Sequence, residues 1–208
     1  AGKSTLGKVI CGLIQPDDGS IQFESKAAHF HDPGDAVKAG IGMVHQELLF
    51  CENLTVAENL CLGDTPSKGP FVDRAAMRAR AEEALSRIGA AVDPMARLGA
   101  LPVAVQQMVQ IAGAVAKGAK VLIFDEPTSS LSHTESERLF ELIDQLKADG
   151  VTCIYVSHRM NEIFRLCDTI TVLRDGKKIV TKPAKEFTDS TGRVGGGVAC
   201  GARRPAGR

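Results

Sequence analysis

The clearest pattern along the chain is a run of four apolar residues, Val121-Leu122-Ile123-Phe124, closed by Asp125-Glu126-Pro127-Thr128. A short apolar run without alternation predicts a strand buried on both faces, as inside a parallel sheet. Residues 151–156 form a second such run and end in Ser157-His158. Between the two, Ser132-His133-Thr134-Glu135 has capping-box spacing, and Leu139, Leu142, Ile143 and Leu146 share one helical face before Gly150. A right-handed crossover of this strand–helix–strand unit brings both strand ends to the same edge of one sheet.

Elsewhere the elements are shorter. Residues 6–13 predict a helix, and 15–23 a turn and short strand with Asp18-Gly19 as a tight hairpin turn. Residues 41–47 predict another short strand running into polar residues. From Asn53 to about Lys117 the period becomes helical. Thr55-Val56-Ala57-Glu58 is a second capping box, and Asp73 caps a helix whose stripe is Met77, Ala81, Ala84, Leu85 and Ile88. A third helix runs from about Val105 to Ala116. Residues 170–173 and 177–180, around Asp175-Gly176, predict a terminal hairpin.

The pattern divides the chain into an α/β core over 1–47 and 118–190 and an all-helical insert over 48–117. Beyond Thr191 glycine and arginine dominate and no face can be buried. Residues 191–208 therefore predict a disordered tail, or one read in a shifted frame.

Composition narrows the function without naming it. Of 208 residues 44% are hydrophobic, enough for one good core. The 25 basic and 25 acidic side chains cancel, which removes the bulk electrostatic case for nucleic-acid binding. No apolar run approaches the roughly 20 residues of a membrane-spanning helix. The six cysteines are scattered without a C-x-x-C pair, which predicts reduced thiols in a cytosolic protein. The first residue is not methionine, and the chain is read as a piece of a longer protein.

Candidate chemistry gathers at predicted strand ends. Asp125 can hold Mg²⁺ while Glu126, on the other side of the strand, faces a substrate. A bland turn closed by Pro127 is the competing reading of the same residues. Ala1-Gly2-Lys3-Ser4-Thr5 looks like the back half of a phosphate loop, G-x-x-x-x-G-K-[ST], although a bare G-K-S is a weak signal. There glycine lets the backbone approach phosphate, Lys3 reaches the β/γ-phosphates and the Ser4 hydroxyl ligates the metal. Gln46 can orient a water or contact a metal through its carbonyl, but cannot do acid–base work. His45, beside a strand end, has a structural reading as well as one as a base.

In order, the G-K-S-T loop, Gln46, the helical insert, Asp125-Glu126 and Ser157-His158 resemble the ATPase subunit of ABC transporters. Residues 42–48 and 54–60, and Ser157-His158-Arg159-Met160-Asn161-Glu162-Ile163-Phe164, resemble the first nucleotide-binding domain of bacterial monosaccharide importers of the ribose, xylose and galactose group. The likeness covers roughly residues 1–190. It implies a P-loop NTPase fold of the ABC ATPase type: a mostly parallel sheet core, the helical insert as signature subdomain, and a small antiparallel β element. It implies ATP and Mg²⁺, with Gly2, Lys3, Ser4 and Thr5 on the phosphates and Ser4, Asp125 and Gln46 at the metal. Glu126 becomes general base or water positioner, His158 a γ-phosphate contact, and Gln46 a contact to the attacking water.

The implied partners are transmembrane sugar permease subunits, a second nucleotide-binding domain (fused or in trans) and, indirectly, an external sugar-binding protein, with no nucleic acid. The implied location is the cytoplasmic face of the bacterial membrane. The signature departs from the family pattern L-S-x-G-x-Q-Q. It reads Leu101-Pro102-Val103-Ala104-Val105-Gln106-Gln107, losing a serine hydroxyl and a backbone N–H at Pro102 and a glycine at Ala104. That departure keeps a second reading open, a hydrolysis-impaired domain with a structural or regulatory role.

Overall fold

The computed structural model describes residues 2–44, 50–187 and 197–201. The predicted Gln46, with its neighbour His45, lies outside them. In chain order the elements begin with α1 (Lys3–Ile10), the hairpin β1 (Ile21–Phe23) and β2 (Lys26–Ala28), α2 (Pro33–Ala39) and β3 (Ile41–Val44). Then come α3 (Val56–Leu60), β4 (Ser67–Lys68), β5 (Phe71–Val72), α4 (Arg74–Arg87) and α5 (Val103–Ala116). The chain continues with β6 (Val121–Asp125), α6 (His133–Ala148), β7 (Thr152–Ser157) and α7 (Met160–Leu166). It closes with β8 (Thr169–Arg174), β9 (Lys177–Pro183) and β10 (Gly197–Gly201). Two compact units emerge. The first holds residues 1–46, 119–129 and 140–208; the second holds 47–118 and 130–139. Residues 130–139, read from sequence as core, group with the insert.

The first unit is built on a six-stranded sheet of order β3-β6-β7-β10-β8-β9. β3, β6 and β7 run parallel, and Asp125 of β6 stands opposite Val156 of β7. Leu122, Ile123 and Phe124 are fully buried, as a strand covered on both faces requires. α1 reaches the sheet through buried Gly7, where an added Cβ would lie 3.5 Å from Ile123 Cγ2. One core cluster gathers Cys11, Phe30, Ala36, Ile41 and Ile123.

Three local readings change. The hairpin turn between β1 and β2 is Glu24-Ser25, with φ of 50° and 63°. It is a two-residue turn of the primed kind, and Asp17-Asp18 forms a bend ahead of β1. α2 was not anticipated from the pattern, yet its ends carry ordinary signals. The Asp32 side chain accepts the Asp35 N–H at 3.0 Å, Pro33 stands at the helix start, and Gly40 closes it at φ 93°. Finally, the expectation of no regular structure beyond Thr191 fails at Gly197–Gly201. These residues form β10, antiparallel to both β7 and β8. A central strand satisfies its backbone through both neighbours, so pairing can hold a segment whose side chains show no periodicity.

The second unit packs α3, α4 and α5 with a two-stranded ribbon, β4 against β5, so it is not wholly helical. Both capping boxes form. Thr55 Oγ1 accepts the Glu58 N–H at 3.2 Å while Glu58 Oε2 accepts the Thr55 N–H at 2.8 Å. Glu135 Oε2 accepts the Ser132 N–H at 2.8 Å in the same way. Ala57, Cys61, Met77 and Ala81 form its core cluster, matching the stripe on α4. Cys11, Cys51, Cys61 and Cys153 are free thiols. Cys167 is disulfide-bonded, which corrects the reading of reduced thiols throughout.

Candidate functional site

The site is assembled at the carboxyl ends of β6 and β7 and the amino end of α1, all in the first unit. Gly2 precedes α1 at φ 98°, and a Cβ there would come within 3.1 Å of Gly176 Cα. Left-handed backbone and close approach together require glycine. The first turn of α1 contains Lys3, Ser4 and Thr5 and no acidic residue. Its leading N–H groups lack intrahelical partners and carry the positive end of the helix dipole, the arrangement that receives an anion.

Ser4 Oγ donates a 2.9 Å hydrogen bond to Asp125 Oδ1 across 121 residues of sequence. Asp125 is buried at the end of β6. A hydroxyl and a carboxylate oxygen, side by side below a helix terminus, make a hard-oxygen donor set suited to Mg²⁺ with phosphate oxygens and waters completing it. Among the described residues no cluster of three His, Cys, Asp or Glu side chains forms a metal cage.

Glu126 follows immediately, at φ 47°. A non-glycine residue in the left-handed region is strained and persists only where its surroundings hold it. Its N–H donates to Val156 O at 2.9 Å, and its C=O accepts the Ser129 N–H at 3.2 Å. The Glu126 carboxylate is half-buried, and its Oε1 lies 3.2 Å from His158 Nδ1. A carboxylate can only accept, so the contact is a hydrogen bond when Nδ1 carries the proton, leaving Nε2 for another partner.

Behind this pair lies a buried charge that sequence reasoning passed over. Glu162 of α7 is 4% exposed. Thr128 Oγ1 donates to its Oε1 at 2.8 Å, while Tyr155 Oη and Ser157 Oγ each donate to its Oε2 at 2.9 Å. The Arg159 guanidinium reaches its Oε1 at 3.3 Å. Burial, then the charge of Glu162 and its hydrogen bond, push the Tyr155 phenol well above its ordinary range, so it stays a donor. In the sequence Glu162 stands only within the family-like run 157–164, with no role of its own. Its role is visible only once β6, β7 and α7 meet.

The signature residues lie in the second unit. Leu101 and Pro102 lead into α5, and Val103 and Ala104 open it. Pro102 takes the N-cap position without a side-chain cap. Gln106 donates its side-chain amide to Leu101 O at 2.8 Å, which closes the turn locally.

A helix N-terminus set against the carboxyl ends of the parallel strands of the sheet, with the Ser4–Asp125 pair between them, defines a P-loop NTPase fold. Solved structures agree. The protein cbiO1 of Clostridium perfringens, part of the ABC transporter complex cbiONQ, aligns at a TM-score of 0.73 with 28% identity, over 88% of this chain and 73% of that one. The ATP-binding cassette MJ0796, in a dimeric post-hydrolysis state with ADP and Pi, aligns at 0.71 with 25% identity, over 89% of this chain and 82% of that one. The family profile described as ABC transporter matches residues 1–129. The chain belongs to the ABC transporter family.

Among curated relatives, the arabinose import ATP-binding protein AraG 1 of Burkholderia ambifaria is 48% identical over 181 residues, 87% of this chain and 36% of that protein. A putative ribose/galactose/methyl galactoside import ATP-binding protein 3 of Burkholderia cenocepacia is also 48% identical, over 87% of this chain and 35% of that protein. The chain thus spans just over a third of the length of these relatives.

Proposed function

We propose that this chain is an ATP-binding and ATP-hydrolysing domain that energises import of a monosaccharide through a membrane permease. The observation that carries the proposal is the Ser4–Asp125 hydrogen bond, which joins the phosphate-loop helix to the strand bearing Glu126. The names of the relatives, all sugar import ATP-binding proteins, supply the substrate class.

In this reading α1 receives the phosphates on its free N–H groups, and Lys3 neutralises the β/γ oxygens. Ser4 and Asp125 would hold Mg²⁺, with Gln46 as a further contact; the metal supplies charge neutralisation on the phosphates when bound. Glu126 positions or deprotonates the attacking water, and its strained backbone fixes where the carboxylate stands. His158, with Nδ1 engaged by Glu126, offers Nε2 to the γ-phosphate. Positioning and electrostatics supply most of the acceleration in phosphoryl transfer, and this reading assigns both to these groups.

The reading further assigns permease subunits, a second nucleotide-binding domain and an external sugar-binding protein as partners, at the cytoplasmic face of the membrane. Leu101, Pro102, Val103, Ala104 and Gln106 would face the nucleotide bound by the second domain. A hydrolysis-impaired domain is the second reading, favoured by the uncapped Pro102 start of α5. Steady-state ATP turnover of the protein assembled with its permease, with and without Glu126→Gln, separates the two. Sugar-stimulated turnover that Glu126→Gln abolishes supports the first; turnover indifferent to that change supports the second.

A further inference from the structure

We propose that Glu162 is a positioning residue that locks the turn carrying Glu126 to the turn carrying His158, an inference that rests on the roles given above to those two side chains. Its two oxygens face opposite elements. Oε1 takes the hydroxyl of Thr128, two residues beyond Glu126, and Oε2 takes the hydroxyl of Ser157, one residue before His158. Ser157 Oγ in turn accepts the Arg159 N–H at 3.0 Å, so one hydroxyl fixes the backbone on both sides of His158.

The exposed partners need this help. The His158 side chain is 64% exposed, and a single 3.2 Å contact to Glu126 does not fix it against solvent. Glu126 occupies left-handed backbone, which relaxes unless the turn through Thr128 is anchored. A buried carboxylate costs free energy to desolvate, and three hydroxyl donors with a guanidinium satisfy this one. Tyr155 and Arg159 serve the charge itself, whereas Thr128 and Ser157 transmit its position to the two turns.

The test is Glu162→Gln in the full chain, without nucleotide for hydrogen exchange and assembled with its permease for single-turnover hydrolysis. Gln keeps the shape, removes the charge and gives up one acceptor. Amide exchange at Glu126, Thr128, Ser129 and 157–159 should accelerate together by about tenfold while β9 stays unchanged. Hydrolysis should slow by about 10- to 100-fold, the scale of a misplacement near 1 Å, with ATP affinity kept within about twofold.

Because Glu162 acts by holding His158 against Glu126, a relation that His158→Ala already removes, the double variant Glu162→Gln/His158→Ala should be within about twofold of His158→Ala alone. Multiplied effects, or two segments that exchange at the wild-type rate, overturn the proposal. If His158→Ala itself leaves hydrolysis intact, the reading of the site falls and the proposal with it. If His158→Ala is slow and Glu162→Gln is not, only the proposal falls. Should Glu162→Gln not fold, Thr128→Val cuts one tie at constant volume. It should slow hydrolysis while Tyr155→Phe does not, and the reverse order contradicts the assignment.

Discussion

The sheet end of the first unit and the start of α5 in the second are both candidate nucleotide-facing segments, and they are held in opposite ways. At the sheet end the ties span 121 residues (Ser4–Asp125), 34 (Thr128–Glu162) and 32 (Glu126–His158). At the start of α5 the hydrogen bond from the Gln106 side chain spans five residues and no side chain caps the helix. Long-range ties exist only when the whole unit is folded, so their geometry is as exact as the fold. A local tie survives on its own, and such a segment tolerates sequence change. Pro102 and Ala104, the departures from the pattern that the resemblance implies, lie at the locally held segment.

The largest expected effect on stability falls on the long-range side. Glu162→Ala would strand the hydroxyls of Thr128, Tyr155 and Ser157 and should destabilise the chain by about 3 kcal/mol. His158→Ala, at an exposed site, should stay within about 0.5 kcal/mol. Urea midpoints of the two variants check this, and equal shifts would erase the distinction between a buried hub and an exposed tip. Next comes Pro102→Ser, which gives α5 a side-chain cap worth about 1 kcal/mol. A higher melting temperature, with turnover of the assembled protein raised rather than lowered, would show that the signature is weakened locally. Unchanged values for both would say that Pro102 costs nothing.

The smallest effect belongs to the two capping boxes. In Glu58 the Thr55 N–H, then the Thr55 hydroxyl, hold the carboxyl below its ordinary range. In Glu135 the Ser132 hydroxyl, then its N–H, do the same. A depressed folded value means that the stabilisation is present above the unfolded carboxylate range and fades as pH falls through the folded one. Helix content followed by circular dichroism should therefore decline modestly from about pH 5 to about pH 3. Glu58→Gln should remove part of that slope. A slope that survives Glu58→Gln and Glu135→Gln together assigns it to other carboxylates.

Much of this was legible in the chain. β6 announced itself by four apolar residues, both capping boxes by their spacing, and the meeting of Glu126 with His158 by the parallel crossover. α2 carried its signals too, in Asp32-Pro33 and Gly40, but seven residues give too few turns for a periodic pattern. β10 is held by backbone pairing, which side-chain patterning does not register. Glu162 was hidden for a third reason. A glutamate on a seven-residue helix reads as solvated, and only the approach of Thr128 from a strand end 34 residues earlier turns it into a buried hub.

The central claim is that Glu126 carries the hydrolytic chemistry on a turn held in place from behind. Its most direct test is single-turnover ATP hydrolysis by the assembled protein carrying Glu126→Gln, with nucleotide affinity measured in parallel. Loss of at least about 100-fold in the hydrolysis rate, at an affinity near that of the unaltered protein, is the expected result. Hydrolysis at the unaltered rate would contradict it.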